Sequence, residues 1–180
     1  MNPRMIVGLV VVALLGAVFY LGLQGDPRTP PPRRLGQPVL SFAAPVLPPY
    51  QEDYGQTLDL SSYLGKKPLV INFWASWCYP QCYQEAPELE AAWRRYQDQV
   101  FFIGVNTQDK SPEALKFIDQ FQLSFPQVED PRGKLALDYA TTGVPETFVI
   151  DRNGILQAHF IGAVNQEKLG EAVEALLGES

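Results

Sequence analysis

Both cysteines of the chain fall in one short stretch, Trp77-Cys78-Tyr79-Pro80-Gln81-Cys82. Thiols this close can form a structural disulfide, hold a soft metal ion, or exchange disulfides with another protein. Their placement favours exchange. The apolar run at 68–74 (PLVINFW) predicts a buried strand just before them, and Leu89, Ala92, Trp93 and Tyr96 recur at helical spacing just after. The helix therefore starts at about Pro80 or Cys82 and runs to Tyr96. A thiol at a helix entrance meets unpaired backbone N–H groups and the positive end of the helix dipole, which favour the nucleophilic thiolate. A second thiol one turn on can then resolve the mixed disulfide. A staple closing so small a loop would add little stability, so a purely structural bond is the weaker reading.

Three residues separate the cysteines, where the familiar redox pair has two. Residues four apart on a helix lie about 6 Å apart at Cα, inside the range of about 4.4–6.8 Å that a disulfide accepts. Their side chains point less directly at one another than at an offset of three. Either a loosened first helical turn or a strained, easily reduced bond is therefore expected. Tyr79 and Pro80 occupy the intervening loop, where polarity tunes the thiolate. Trp74 and Trp77, which flank the site, read first as packing, with Trp77 also placed to shield Cys78 and shape substrate contact.

The elements around this stretch define an α/β fold. A second buried strand is expected at 100–105 (VFFIGV), and Ser111-Pro112-Glu113 opens a helix to about Phe121, with Ser111 as N-cap and a proline at the first position. Strand, helix, strand, helix in that order implies parallel pairing with right-handed crossovers. A short helix at 134–139 precedes strands at 146–151 and 155–161, joined antiparallel through Arg152-Asn153-Gly154, and 165–177 makes the closing helix. The expected architecture is a mixed sheet with helices on both faces, and a short strand or hairpin within 40–60 extending its edge.

Upstream, residues 5–23 carry no charged side chain and are about as long as a bilayer-spanning helix. Gln24-Gly25-Asp26-Pro27-Arg28 offers no small-residue cleavage site, so this run predicts a single-pass signal anchor behind a short flank, residues 1–4. Residues 24–38 include Pro27, Pro30, Pro31, Pro32 and Pro38 and read as an extended tether, leaving 39–180 as the globular domain. Arg28, Arg33 and Arg34 follow the apolar run while Arg4 precedes it, so charge alone would put the N-terminus outside. The short first flank and a dithiol at a membrane point the other way, placing the globular part on the extracytoplasmic, periplasmic side of the cell membrane. The chain carries −6 overall, and those arginines leave the domain more acidic still. With no basic stripe or glycine-rich phosphate loop, nucleic acid is not an expected partner.

The strand PLVINFWASWC, Glu85-Ala86-Pro87 on the helix, the strand FFIGVN, and residues 143–151 (GVPETFVID) with Gly154 together resemble the membrane-tethered thioredoxin-like oxidoreductases of the cytochrome c maturation group, the DsbE, CcmG, TlpA and ResA type. The resemblance covers roughly 37–178, and Pro-Glu-Thr-Phe leans towards the DsbE/CcmG branch. It implies that Pro145 is a cis-proline beside the cysteines, that Cys78 is the exposed attacking thiol, and that Cys82 is the buried resolving one. It also implies substrate proteins with disulfides, apocytochrome c first among them, and a membrane thiol–disulfide electron donor. Val144 would expose backbone for pairing with an extended substrate segment. This sequence departs from the group in the residue added between the cysteines. From Cys82 onward the register of Glu85 and Pro87 is restored.

Glu85, one turn past Cys82, reads either as a surface acid suited to a helix N-terminus or as a carboxylate that exchanges the Cys82 proton. Glu146, after Pro145, carries the same pair of readings. Thiol exchange needs no haem, flavin or nicotinamide. The rival function is copper delivery: Sco-type chaperones also have a thioredoxin-like fold and cysteines spaced by three residues, with a distant histidine. Ala140-Thr141-Thr142-Gly143 lacks that histidine, leaving Cys78, Cys82 and His159, the sole histidine, as the alternative metal set. A redox-inactive binding protein is the third reading.

Overall fold

A computed structural model of the protein describes residues 35–178, together with helical residues at 4, 12 and 14–16. The chain divides into two compact units, Met1–Pro32 and Arg33–Ser180, and the second carries every element below. The expected membrane span lies outside the described residues apart from 12 and 14–16, and among the described residues no helix is long and apolar enough to cross a membrane.

Among the described residues, seven strands form two sheets: β1 Ala43–Pro45, β2 Thr57–Asp59, β3 Leu69–Trp74, β4 Phe101–Thr107, β5 Gln127–Asp130, β6 Glu146–Ile150 and β7 Leu156–Ile161. The helices that matter here are α1 Gln81–Tyr96, α2 Ser111–Phe121, α3 Lys134–Asp138 and α4 Gln166–Gly178. The main sheet has the order β5-β4-β3-β6-β7, with β3, β4 and β5 parallel and β6 and β7 antiparallel. The mixed sheet follows from connection length. Crossovers through α1 and α2 allow parallel neighbours, while the tight turn at Arg152-Asn153-Gly154 forces β7 back along β6. Gly154 takes φ +79° in that turn, a conformation L side chains rarely adopt. Asp151 Oδ1 accepts the N–H groups of Asn153 and Ile155, at 2.8 and 2.9 Å.

Alternation along β3 sorts the core into two layers. Val70, Asn72 and Trp74 face the helical layer, where Trp74 stacks on Phe117 of α2 and Asn72 reaches Glu85 of α1. Phe73 faces the opposite side and packs with Tyr139 and Phe148, with Phe42 closing over Tyr139. All six residues of β3 and all seven of β4 are buried, as their largely apolar character requires; the polar exceptions Asn72, Asn106 and Thr107 are hydrogen-bonded. Gly104 in β4 is demanded by packing: a Cβ there would sit 1.7 Å from Gln127 Oε1. Gln127 lies in that space, accepting from Trp74 Nε1 (2.8 Å) and donating to the Phe125 carbonyl (3.0 Å).

Four features differ from the sequence expectations. β5 was not anticipated, because Gln127-Val128-Glu129-Asp130 is largely polar and lacks the period of a strand. The segment at 40–60 forms its own two-stranded sheet, β1 with β2; its backbone joins the main sheet through a bridge from Val46 to Val128 and a bond from Leu47 N–H to the Gln127 carbonyl, and Tyr54 packs on Phe101 of β4. Lys110, not Ser111, is the N-cap of α2, and the Ser111 hydroxyl donates to Glu129 of β5 (2.7 Å). Residues 36–39, expected to fall mostly in the tether, are docked on the domain. Gly36 N–H donates to the Leu156 carbonyl, Leu156 N–H to Gln37, and Val39 N–H to Gly154.

Candidate active site

Cys78 and Cys82 are disulfide-bonded, with Cα atoms 5.4 Å apart. Cys78 lies in the turn after β3 and Cys82 in the first turn of α1, which begins at Gln81. Cys82 N–H donates to the Cys78 carbonyl (3.0 Å), so the backbone already makes a helix-like closure across the widened gap. Cys78 itself stands ahead of the helix, in the turn that leads into it. No side chain caps α1, and its first turn holds no acid to offset the positive helix end beside the sulfurs. Both Tyr79–Pro80 and Val144–Pro145 are cis.

Cys78 is only 6 % exposed, against the exposed position implied by resemblance, and Cys82 is 2 % exposed. The Cys78 Sγ is bonded to Cys82 and lies 3.2 Å from the Val144 carbonyl, which covers it from the β6 side. That carbonyl can accept from a Cys78 thiol and would repel a thiolate, so it belongs with the protonated form.

The loop carrying Cys78 is held by residues the sequence reading missed. Asp109, after β4, accepts from Ser76 N–H (2.5 Å), the Ser76 hydroxyl (2.9 Å) and Asn106 Nδ2 (2.9 Å). Trp77 donates its indole N–H to the Gln108 carbonyl (3.0 Å) yet remains 58 % exposed. Tyr79 is exposed and meets Tyr83 edge-to-face. Trp77, Leu137 and residues 141–144 line a groove of about 220 Å³ next to the Val144 carbonyl.

Glu85 is buried in the helical layer, not on the surface. Asn72 Nδ2 donates to Oε2 at 2.9 Å, while Val164 N–H (3.1 Å) and the Thr147 hydroxyl (3.3 Å) donate to Oε1. Burial pushes its pKa up to about 7, despite those donors pulling it down. A cavity of about 10 Å³ is lined by both Cys82 and Glu85. The sequence did carry a signal for this: Cys82, Glu85, Ala86 and Leu89 share one helical face, so Glu85 sits on the apolar stripe.

Glu146, fully buried, stands on the opposite layer. Its Oε1 accepts from Thr142 N–H (2.6 Å), the Thr142 hydroxyl (2.7 Å) and Gly143 N–H (3.1 Å), and Oε2 meets His159 Nε2 at 2.7 Å. Burial alone would raise this carboxyl, but the bonds from His159 and Thr142 outweigh it and hold the group below the usual carboxylate range. The alternative metal set is therefore not assembled. The nearer nitrogen of His159 is committed to Glu146, its ring stacks on Phe148, and among the described residues no three His, Cys, Asp or Glu side chains group as metal ligands.

A five-stranded mixed sheet with a cysteine pair at the β3–α1 junction, faced by a cis-proline at the start of β6, defines a thioredoxin-like protein of the dithiol class. The chain belongs to the AhpC/TSA family, whose model matches residues 35–159. It is 33% identical to the thiol:disulfide interchange protein DsbE of Allochromatium vinosum, over 97% of this chain and 92% of that protein. Among solved structures it is similar to a Chlorobium tepidum protein assigned as a DsbE (TM-score 0.71, 30% identity, 81% of this chain and 99% of that one). It is also similar to a secreted Mycobacterium tuberculosis disulfide oxidoreductase homologous to E. coli DsbE (TM-score 0.66, 28% identity, 75% and 96%).

Proposed function

We propose that this protein is a thiol–disulfide oxidoreductase that reduces disulfides of exported proteins, with Cys78 as the attacking and Cys82 as the resolving sulfur. The observation that carries it is the closed Cys78–Cys82 bond at a strand–helix junction, faced by the Val144 carbonyl. The DsbE relatives support the same class of reaction.

In the reduced protein, the Cys78 thiolate attacks one sulfur of a substrate disulfide. That S–S bond breaks, and the displaced sulfur leaves as a thiolate that takes up a proton. Cys82 then loses its proton and attacks the Cys78 sulfur, which closes the Cys78–Cys82 bond and releases the second substrate thiol. Two electrons have moved from protein to substrate, and a membrane thiol donor returns two. Glu85 takes the Cys82 proton, since a carboxyl titrating at about 7 can both accept and give it near neutrality. The small cavity between them is at the lower limit for one bridging water, about 10–15 Å³. Val144 offers its backbone to an extended substrate segment, Pro145 fixes that segment's approach, and Trp77, Tyr79 and Pro80 shape the mouth.

Within this reading, apocytochrome c is the substrate, residues 5–23 anchor the chain as a single-pass span behind the flank 1–4, and the residues that follow tether the domain on the periplasmic side. Cys82→Ser expressed in membranes should accumulate a reductant-sensitive mixed disulfide through Cys78 that contains apocytochrome c. No trapped species, or equal trapping by a variant lacking Cys78, would overturn the assignment. Release of the protein from membranes by salt alone would remove the anchor.

A further inference from the structure

Pairing with a substrate segment requires the Val144–Pro145 backbone to be held opposite Cys78. Residues 139–145 connect α3 to β6 without regular structure, and Thr142 and Gly143 are exposed. The exposed part, Thr142-Gly143, has little packing of its own and rests on polar ties. Thr141 bonds back to the Ala136 carbonyl and Gly162 N–H holds the Pro145 carbonyl (2.9 Å), while the ties of Thr142-Gly143 converge on one group. Glu146 gathers both N–H groups and the hydroxyl of Thr142-Gly143 on Oε1, two residues from the Val144 carbonyl, and turns Oε2 towards β7.

There it meets His159 Nε2 at 2.7 Å. An ionised carboxylate can only accept, so Nε2 carries the proton of that bond. His159 in turn lies directly across from Phe148 in the β6–β7 ladder and stacks on its ring, at 4.2 Å between centroids and 15° between planes. The ring therefore cannot swing away without losing a cross-strand aromatic contact. The chain of contacts runs from regular sheet to irregular loop: Phe148, His159, Glu146, Thr142-Gly143, Val144.

We propose that His159 and Glu146 form a brace that positions the Val144–Pro145 backbone for strand pairing with protein substrates, making His159 a positioning residue for substrate selection. The inference rests on the dithiol reading above and deepens it. It assigns the brace to recognition of an extended polypeptide around the reacting disulfide. A small disulfide needs only the sulfurs and makes no such pairing, so the two substrate classes should separate.

The test compares full-length protein in detergent reducing two substrates, a disulfide-bonded polypeptide such as insulin and the small aromatic disulfide DTNB. For His159→Leu, the ratio of kcat/KM on insulin to that on DTNB should fall about tenfold, mostly through KM. His159→Gln, which can still donate to Glu146, should restore most of it. Thr142→Val, which deletes one tie at the other end of the brace, should lower the ratio in the same direction and serves if His159→Leu fails to fold. An unchanged ratio in both His159→Leu and Thr142→Val, or in Thr142→Val when His159→Leu does not fold, would overturn the brace while leaving the dithiol reading intact. A wild-type protein inert towards both disulfides would overturn the dithiol reading and the brace with it.

Discussion

Replacing Glu85 by glutamine isolates the cost of keeping an acid inside the helical layer. In the folded protein this carboxyl titrates at about 7, against an ordinary value of 4.5, and burial is the dominant cause. Between those two pH values the native state holds a proton that the unfolded chain has released. Stability therefore falls as pH rises through the window from about 4.5 to 7. Each tenfold change in proton affinity is worth about 1.4 kcal/mol, so the full penalty is about 3 kcal/mol, present at neutral pH and absent below about pH 4. Glu85→Gln removes the titration while keeping the shape. Its amide cannot accept from every donor that Glu85 satisfies, so it adds a constant offset but no slope. Urea unfolding of both oxidised proteins from pH 4 to 8 should give a stability difference that moves by about 3 kcal/mol towards the variant as pH rises. Contributions from Glu146, whose carboxyl is displaced the other way, cancel in that difference. Parallel pH curves would refute the assignment of Glu85 as a buried group with a raised pKa, and with it the proposed proton acceptor for Cys82.

Gly104→Ala should drive Gln127 out of its place, because the new Cβ would sit 1.7 Å from Oε1; losing the bonds to Trp74 and Phe125 should cost about 2–5 kcal/mol, read as a lowered unfolding midpoint with altered tryptophan fluorescence. Asp109→Ala releases both bonds from Ser76 and the tie to Asn106, so exchange at Cys78 should slow by roughly tenfold or more while the unfolding midpoint falls only modestly, a split visible by comparing DTNB kinetics with urea melts.

What could be read from the sequence divides by distance along the chain. β3, β4, the β6–β7 hairpin and the four helices announce themselves through local period, and their observed limits fall within two residues of expectation. β5 did not, because its strand character comes from pairing with β4 and not from its own polar residues. Ser111 looked like a cap for the same reason. Its hydroxyl is drawn to Glu129, a residue of the strand that local pattern could not reveal. The cysteines were legible because redox pairs are local motifs. Asn72, Thr147 and Asp109 were not, since each acquires its role only when distant segments meet, Thr147 and Asn72 across the β3–β6 ladder and Asp109 across the β3–β4 ends. His159, placed in a strand and a poor substitute for a loop histidine, reads from the sequence as packing or surface before metal ligand, and its tie to the Glu146 carboxylate two rungs along the β6–β7 ladder is a contact that local pattern does not reveal.

The docking of residues 36–39 gives the domain a polarity. Gly36 and Leu156 meet beside the Ile150 end of β6, which lies against Leu69 at the start of β3, whereas the sulfurs follow the far end of that strand. Six residues of strand separate the two poles, about 20 Å. The polypeptide thus comes in at the back of the molecule and the reactive pair looks out from the front. A label fixed at residues 36–39 would therefore sit at the pole of β3 opposite the sulfurs and leave the cysteine end uncovered.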